Sequence, residues 1–179
     1  MKLRSVTLSL CLAMTLGGLS ATPSAYADRT VRFERQNPAG GTTAGSMRNH
    51  SGTNGGHYLQ RRVVRTDGQD NGRVSGGSAF QTPDGASGLR GGSTYYHADG
   101  SVQHASGLAA SGTRGSITSR GGYTRNADGT ITQQRSTHLS NAATGNSYQG
   151  NTSYDSTNGL SHSATCFNAA GDEIACPSR

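Results

Sequence analysis

The chain has 179 residues, a formal net charge of +6 and a hydrophobic content of only 31%. From Asp28 onward it contains 17 Leu, Ile, Val, Met and Phe residues among 152, with six tyrosines and no tryptophan. So few apolar side chains exclude a thick hydrophobic core, while the net charge is lower than is typical of disordered chains. The sequence therefore predicts either extensive disorder or a fold whose thin core is built by repetition.

Residues 1–27 have the three parts of a bacterial-type secretory signal peptide. Lys2 and Arg4 form a basic start, an apolar stretch follows, and Ala25-Tyr26-Ala27 places small residues where signal peptidase cleaves. The apolar stretch is shorter than the roughly 20 residues of a membrane-spanning helix. We therefore expect an exported protein that begins at Asp28 and has no transmembrane segment after cleavage. Its expected location is the cell surface or the extracellular space, with the periplasm as the alternative.

Residues 28–57 are predicted to form a flexible arm. Thr30–Arg35 alternates like a short strand, but from Pro38 to Gly56 the chain consists mainly of Gly, Thr, Ser and Asn. That composition is typical of a flexible linker. Guanidinium groups bind phosphates and carboxylates, so the arginines of this arm and the following strand-like run form a candidate site for an extracellular polyanion. These arginines are Arg29, Arg32, Arg35, Arg61, Arg62 and Arg65.

Residues 58–179 are predicted to form an all-β repeat domain. Fifteen bulky apolar residues recur at about seven-residue intervals between Val74 and Ile174. The high density of glycine excludes a heptad helix, so we expect short strands joined by turns. An antiparallel meander and a β-solenoid both satisfy this pattern. Asp-Gly pairs recur along the domain, at 67–68, 84–85, 99–100 and 128–129.

The Asp-Gly pairs favour the meander, because this dipeptide suits two-residue type I′ hairpins that join antiparallel neighbours. Such a turn at Asp99-Gly100 would pair His97 with Val102 and would place Tyr95 opposite His104. The matching segment around Asp128-Gly129 predicts a second hairpin of the same kind.

Cys166 and Cys176 are the only cysteines after the predicted cleavage site. A hairpin centred on Gly171 would set them opposite each other, and disulfides persist in the compartments that exported proteins reach. A redox pair or half of a metal site are the alternatives, but the spacing does not fit Cys-x-x-Cys. We therefore expect a structural disulfide that caps the C-terminal end of the array.

The other polar residues contain no recognisable catalytic motif. His97 and His104 would share a face of one hairpin, but they lack the third ligand of a metal site. The aspartates that precede glycine are explained by turn chemistry, and one carboxylate in each unit is too few for a repeat calcium site. No cofactor is therefore expected.

These features favour an exported, non-enzymatic β-repeat protein of the cell surface or extracellular matrix, with a role in adhesion or assembly. Exposed strand edges of such an array predict self-association. The alternative is a secreted or periplasmic module that binds an anionic polymer such as DNA, acidic polysaccharide or lipopolysaccharide. An enzyme of unrecognised type is a third possibility, and it would need a pocket that a thin core can hardly enclose.

Overall fold

A computed structural model describes residues 28–177, so the predicted signal peptide at 1–27 lies outside the described residues. Eleven antiparallel strands form one sheet, and each strand pairs with the strands that precede and follow it in sequence. The predicted all-β antiparallel meander is therefore confirmed. The strands are β1 (Arg29–Gln36), β2 (Thr42–Ser51), β3 (His57–Thr66), β4 (Gly72–Gln81), β5 (Ser87–Tyr96), β6 (Val102–Gly112), β7 (Gly115–Arg125), β8 (Ile131–Asn141), β9 (Ser147–Asp155), β10 (Gly159–Phe167) and β11 (Glu173–Ile174).

The strands are longer than the repeat interval predicted. Strands β2–β10 contain 9 to 11 residues each, rather than one short strand every seven residues. Most strands carry two bulky apolar residues, such as Val74 and Phe80 on β4 or Ile131 and Leu139 on β8. Two successive apolar residues are about as many residues apart within one strand as they are across a turn. The interval between apolar residues therefore did not reveal the strand length.

The hairpin loops correct the predicted register by one residue. In the β5–β6 hairpin Tyr96 pairs with Val102, and the N–H of His97 donates to the carbonyl of Ser101 at 3.0 Å. The loop therefore contains the three residues 98–100 instead of two. The N–H of Gly100 donates to the carbonyl of His97 at 2.9 Å, and Gly100 has a φ of 84°. Asp99 keeps a negative φ, as in a type I turn followed by a left-handed glycine. The β7–β8 hairpin shows the same one-residue shift.

The segment predicted as a flexible arm contributes two strands to the sheet. Strand β1 pairs with β2 from Arg29–Asn49 to Gln36–Thr42, and β2 also pairs with β3. The Phe33 ring covers Gly45 on the neighbouring strand, which shields backbone that glycine leaves bare. Glycine and serine also make up 10 of the 20 residues of β4 and β5, so composition does not separate a linker from a strand in this chain. Within residues 28–177 the sheet therefore begins at Arg29, and pairing continues across residue 57.

The two faces of the sheet differ in composition. Face A is formed by the even-numbered residues of β1–β6 and β9–β11 and the odd-numbered residues of β7 and β8, and face B by the others. Of the fifteen recurring apolar residues, Leu89, Tyr95 and Phe167 lie on face B. The other twelve lie on face A: Val74, Phe80, Val102, Leu108, Ile117, Tyr123, Ile131, Leu139, Tyr148, Tyr154, Leu160 and Ile174.

The sheet is a single layer without an enclosed core among residues 28–177. Large apolar side chains stay accessible, and Leu89 and Leu160 are 61% and 72% exposed. The thin interior predicted from composition is thus an exposed face, because no second layer covers it. The buried residues of the described chain are Gly41, Thr43, Val102, Ser119, Gly150 and Cys166.

Aspartates stabilise the loops at one end of the sheet. The carboxylates of Asp67, Asp99, Asp128 and Asp155 each accept the backbone N–H two residues further on, at 2.8–2.9 Å. Hydrogen bonds lower the pKa of all four carboxyls. The largest cause is the hydroxyl two residues on for Asp99 and Asp128, and the backbone N–H two residues on for Asp67 and Asp155.

We expect the fold to lose stability as the pH falls below about 4, the ordinary range of aspartate. The four carboxyls have a lower pKa in the folded chain than in the unfolded chain, so acid protonates the unfolded chain first and favours it. Thermal unfolding followed by circular dichroism between neutral and strongly acidic pH measures this effect. Changing the four aspartates to asparagine keeps a side-chain acceptor in each loop but removes the titration. An acid dependence that is equally steep in this variant would contradict the assignment.

Candidate functional site

The six arginines predicted as a polyanion site are divided between the two faces. Neighbouring residues of a strand point to opposite sides, so Arg61 and Arg62 lie on different faces. Arg32 and Arg62 lie on face A. The structure therefore does not gather the set into one surface. The four that lie on face B are Arg29, Arg35, Arg61 and Arg65.

A different group of arginines comes together on face A. Arg62, Arg90 and Arg135 line a shallow trough of about 440 Å³ that extends from β3 to β8. Gly76 and Gly92 form part of its floor, to which they contribute backbone and no side chains. Sequence reasoning missed Arg90 and Arg135, because they are far from Arg62 in sequence and only the pairing of strands β3 to β8 brings the three together.

Hydroxyl groups, rather than carboxylates, hold two of these arginines. Arg90 Nε donates to Ser78 Oγ at 3.0 Å, and Arg135 Nη1 donates to Ser119 Oγ at 3.1 Å. No aspartate or glutamate lies on face A within strands β2–β10. The ion pair found within residues 28–177 joins Arg48 to Asp28, away from the trough. The positive charge of the trough is therefore not neutralised by neighbouring acids.

The predicted histidine pair is not formed. His104 lies on face A, where its Nδ1 is 2.8 Å from Thr94 Oγ1 and its ring stacks on Tyr123 at 5.3 Å. His97 lies at the start of the β5–β6 loop, because the corrected register moves it off the shared face. Among residues 28–177, no group of three or more His, Cys, Asp or Glu side chains is arranged to hold a metal ion.

The Cys166–Cys176 disulfide is present, as predicted, with a Cα–Cα distance of 5.2 Å. The register of the hairpin differs from the prediction, because Cys166 pairs with Ile174 rather than with Cys176. The hairpin is therefore centred on Ala170, one residue before the predicted Gly171. The bond ties the segment after β11 back to β10.

The sheet has two open edges within the described chain. Strand β1 pairs with β2 alone, and β11 covers β10 only at Cys166 and Phe167. Residues 159–165 of β10 therefore have no strand on their outer side. Backbone N–H and C=O groups on such edges can pair with a strand from another chain.

The described residues 28–177 include no helix with the length and apolar character needed to cross a membrane. The chain matches no protein-family model, no curated protein and no solved structure. Its faces and edges are therefore the features from which a function can be inferred.

Proposed function

We propose that this chain is an exported, non-enzymatic β-repeat protein that acts by assembly at the cell surface or in the extracellular matrix. The proposal is carried by the two open edges of a sheet that encloses no core in residues 28–177. A further strand would satisfy the free backbone groups of an edge and shield apolar side chains beside it. Export is supported by the predicted signal peptide and by the disulfide, a bond that persists in oxidising compartments.

The partner in this assembly is a second copy of the same chain, added head to tail. Consecutive strands alternate in direction, so β1 and β10 run in opposite directions. Strand β1 of one copy can therefore pair with β10 of the next in antiparallel fashion. Face A then stays on the same side of the enlarged sheet. The lengths also match, because β1 has 8 residues and the free part of β10 spans 159–165.

Charge favours this pairing over the symmetric ones. Strand β1 carries Arg29, Arg32 and Arg35 against a single acid, Glu34, so two β1 edges would bring a net excess of like charge together. Strand β10 has no arginine, lysine, aspartate or glutamate, and it offers no such repulsion. In the head-to-tail arrangement Arg29 approaches the end of the sheet that carries Glu173. This contact is heterologous and does not close, so it leads to linear assemblies.

We expect the mature chain to associate reversibly with increasing concentration, as measured by sedimentation velocity. The double variant Ser161→Lys/Ser163→Lys places two positive charges on face B of the free part of β10, the face that carries Arg29 and Arg35 of an incoming β1. It should weaken association about tenfold, through repulsion between these like charges across the contact.

The matched control is Gln134→Lys/Ser136→Lys, which adds the same charges at the same spacing on face B of the interior strand β8. This control should associate like the unmodified chain. A chain that stays monomeric at every concentration would contradict assembly itself. Equal losses in the two variants would contradict the β1–β10 contact but leave assembly standing.

A further inference from the structure

We propose that the trough on face A is a binding site for an acidic polysaccharide, whose carboxylate or sulfate groups are bound by Arg62, Arg90 and Arg135. This site lies on a face of the sheet, between β3 and β8, and is separate from the edges that carry the proposed assembly. It also differs from the arginine set predicted from the sequence, of which it retains only Arg62.

The three guanidinium groups have donors to spare. A guanidinium carries five N–H groups, and Arg90 uses Nε for Ser78, so both of its terminal nitrogens remain available. Arg135 donates to Ser119 Oγ at 3.1 Å and, at 3.5 Å, to Ser106 Oγ, which fixes its position without neutralising it. Within residues 28–177 the Arg62 side chain makes no hydrogen bond or ion pair. Each arginine can therefore bind an anionic group, in the paired geometry that carboxylates and sulfates accept.

The spacing of the arginines indicates an extended ligand. They lie on β3, β5 and β8, and neighbouring strands are about 4.8 Å apart, so the gaps are roughly 10 Å and 14 Å across the sheet. A single small anion cannot reach all three. The shorter gap is similar to the length of a disaccharide, the unit over which acidic polysaccharides repeat their anionic groups. The ligand is thus a linear polymer that crosses the strands.

The floor of the trough suits sugar rings better than nucleobases. Gly76 and Gly92 contribute backbone and no side chains to the floor, and Ser78, Thr94 and Ser106 line the trough with hydroxyl-bearing side chains. Sites for single-stranded nucleic acids use aromatic side chains on which the bases stack. The aromatic ring that lines this trough belongs to His104, and it is already stacked on Tyr123.

The test is a titration of the mature, oxidised chain with polygalacturonate and dextran sulfate at low and moderate salt. The variant Arg62→Ala/Arg90→Ala/Arg135→Ala should bind both about 30-fold more weakly, which corresponds to three charged contacts of modest strength. Its binding should also depend less steeply on salt, since each lost contact removes released counterions. The variant Arg65→Ala/Arg73→Ala/Arg120→Ala removes the same charge from face B, at residues that do not line the trough, and should bind almost normally.

Arg135 is half-buried, so a second variant, Arg62→Ala/Arg90→Ala, keeps this side chain and its packing in place. Its affinity for both polymers should fall about tenfold. Equal losses in the face A and face B variants would overturn the site, because they would reflect total charge alone. If single-stranded DNA binds as tightly as polygalacturonate, and the face A variant loses this binding, the assignment to a polysaccharide is overturned. If neither polymer binds at low salt, the proposal as a whole is overturned.

Discussion

Changing Gly122 to alanine is expected to destabilise the sheet by about 1–3 kcal/mol, the usual cost of forcing atoms into an occupied space. A Cβ at this position on β7 would overlap the carbonyl oxygen of His104 on β6. The two backbones approach so closely that one of them must shift, and the strand pairing on that side must loosen. Because Gly122 has a negative φ, the cost arises from this close approach and not from the conformation of the residue itself.

Gly91→Ala is the matched control, since Gly91 is also a mid-strand glycine next to a second glycine. A Cβ there has the carbonyl oxygen of Gly76 as its nearest neighbour, at an ordinary 3.5 Å. With φ outside the left-handed region, alanine should stabilise the chain by about 0.5 kcal/mol, because it restricts the unfolded state. Urea unfolding of both variants measures the difference. Changes of the same sign and size would show that the close approach at Gly122 does not limit the fold.

Removing the disulfide is expected to lower the free energy of unfolding by about 2–3 kcal/mol, the value for a loop of this size. Cys166 and Cys176 are 10 residues apart, and their bond constrains the last hairpin in the unfolded state. The effect should stay local in the folded state, since each strand contacts only its neighbours in sequence. The double variant Cys166→Ser/Cys176→Ser should therefore keep its β-type circular dichroism while its urea midpoint falls.

Alkylation under non-reducing conditions complements this measurement. The native chain should incorporate no label at Cys166 or Cys176, and it should incorporate two labels after reduction. Free thiols in the native chain would contradict the disulfide. Complete loss of the β-type spectrum in the serine variant would contradict the local character of its contribution.

The turns show which part of the fold follows from sequence and which does not. The Asp-Gly pairs identify the hairpins correctly, but the same dipeptide fits a two-residue loop and a three-residue loop. The side chains beside the loop distinguish the two. A three-residue loop pairs Tyr96 with Val102, two apolar residues, whereas a two-residue loop would have placed Tyr96 opposite Gln103. Matching the apolar residues across this loop would have given its observed register.

The arginines show why the candidate site was harder to predict than the fold. Their number and the lack of nearby acids were visible in the sequence, but the face on which each one lies depends on the register. A slip of one residue exchanges the two faces of a strand. Arg62, Arg90 and Arg135 are far apart in sequence, and only the complete chain of pairings from β3 to β8 places them in one trough. The first hairpin was not predicted for a different reason. The composition of β2 is that of a linker, but backbone pairing requires no large side chains.

The strictly sequential pairing of the strands has a consequence for how the chain reaches its structure. Each strand meets a partner that is separated from it only by a short loop, so no distant segments have to find each other. Hairpins can form one after another as successive segments become available, each using the previous strand as a template. A chain that crosses a membrane from its N-terminus could therefore begin to order on the far side before its C-terminal cysteines arrive. The disulfide would then form last and secure the end of a sheet that is already in place.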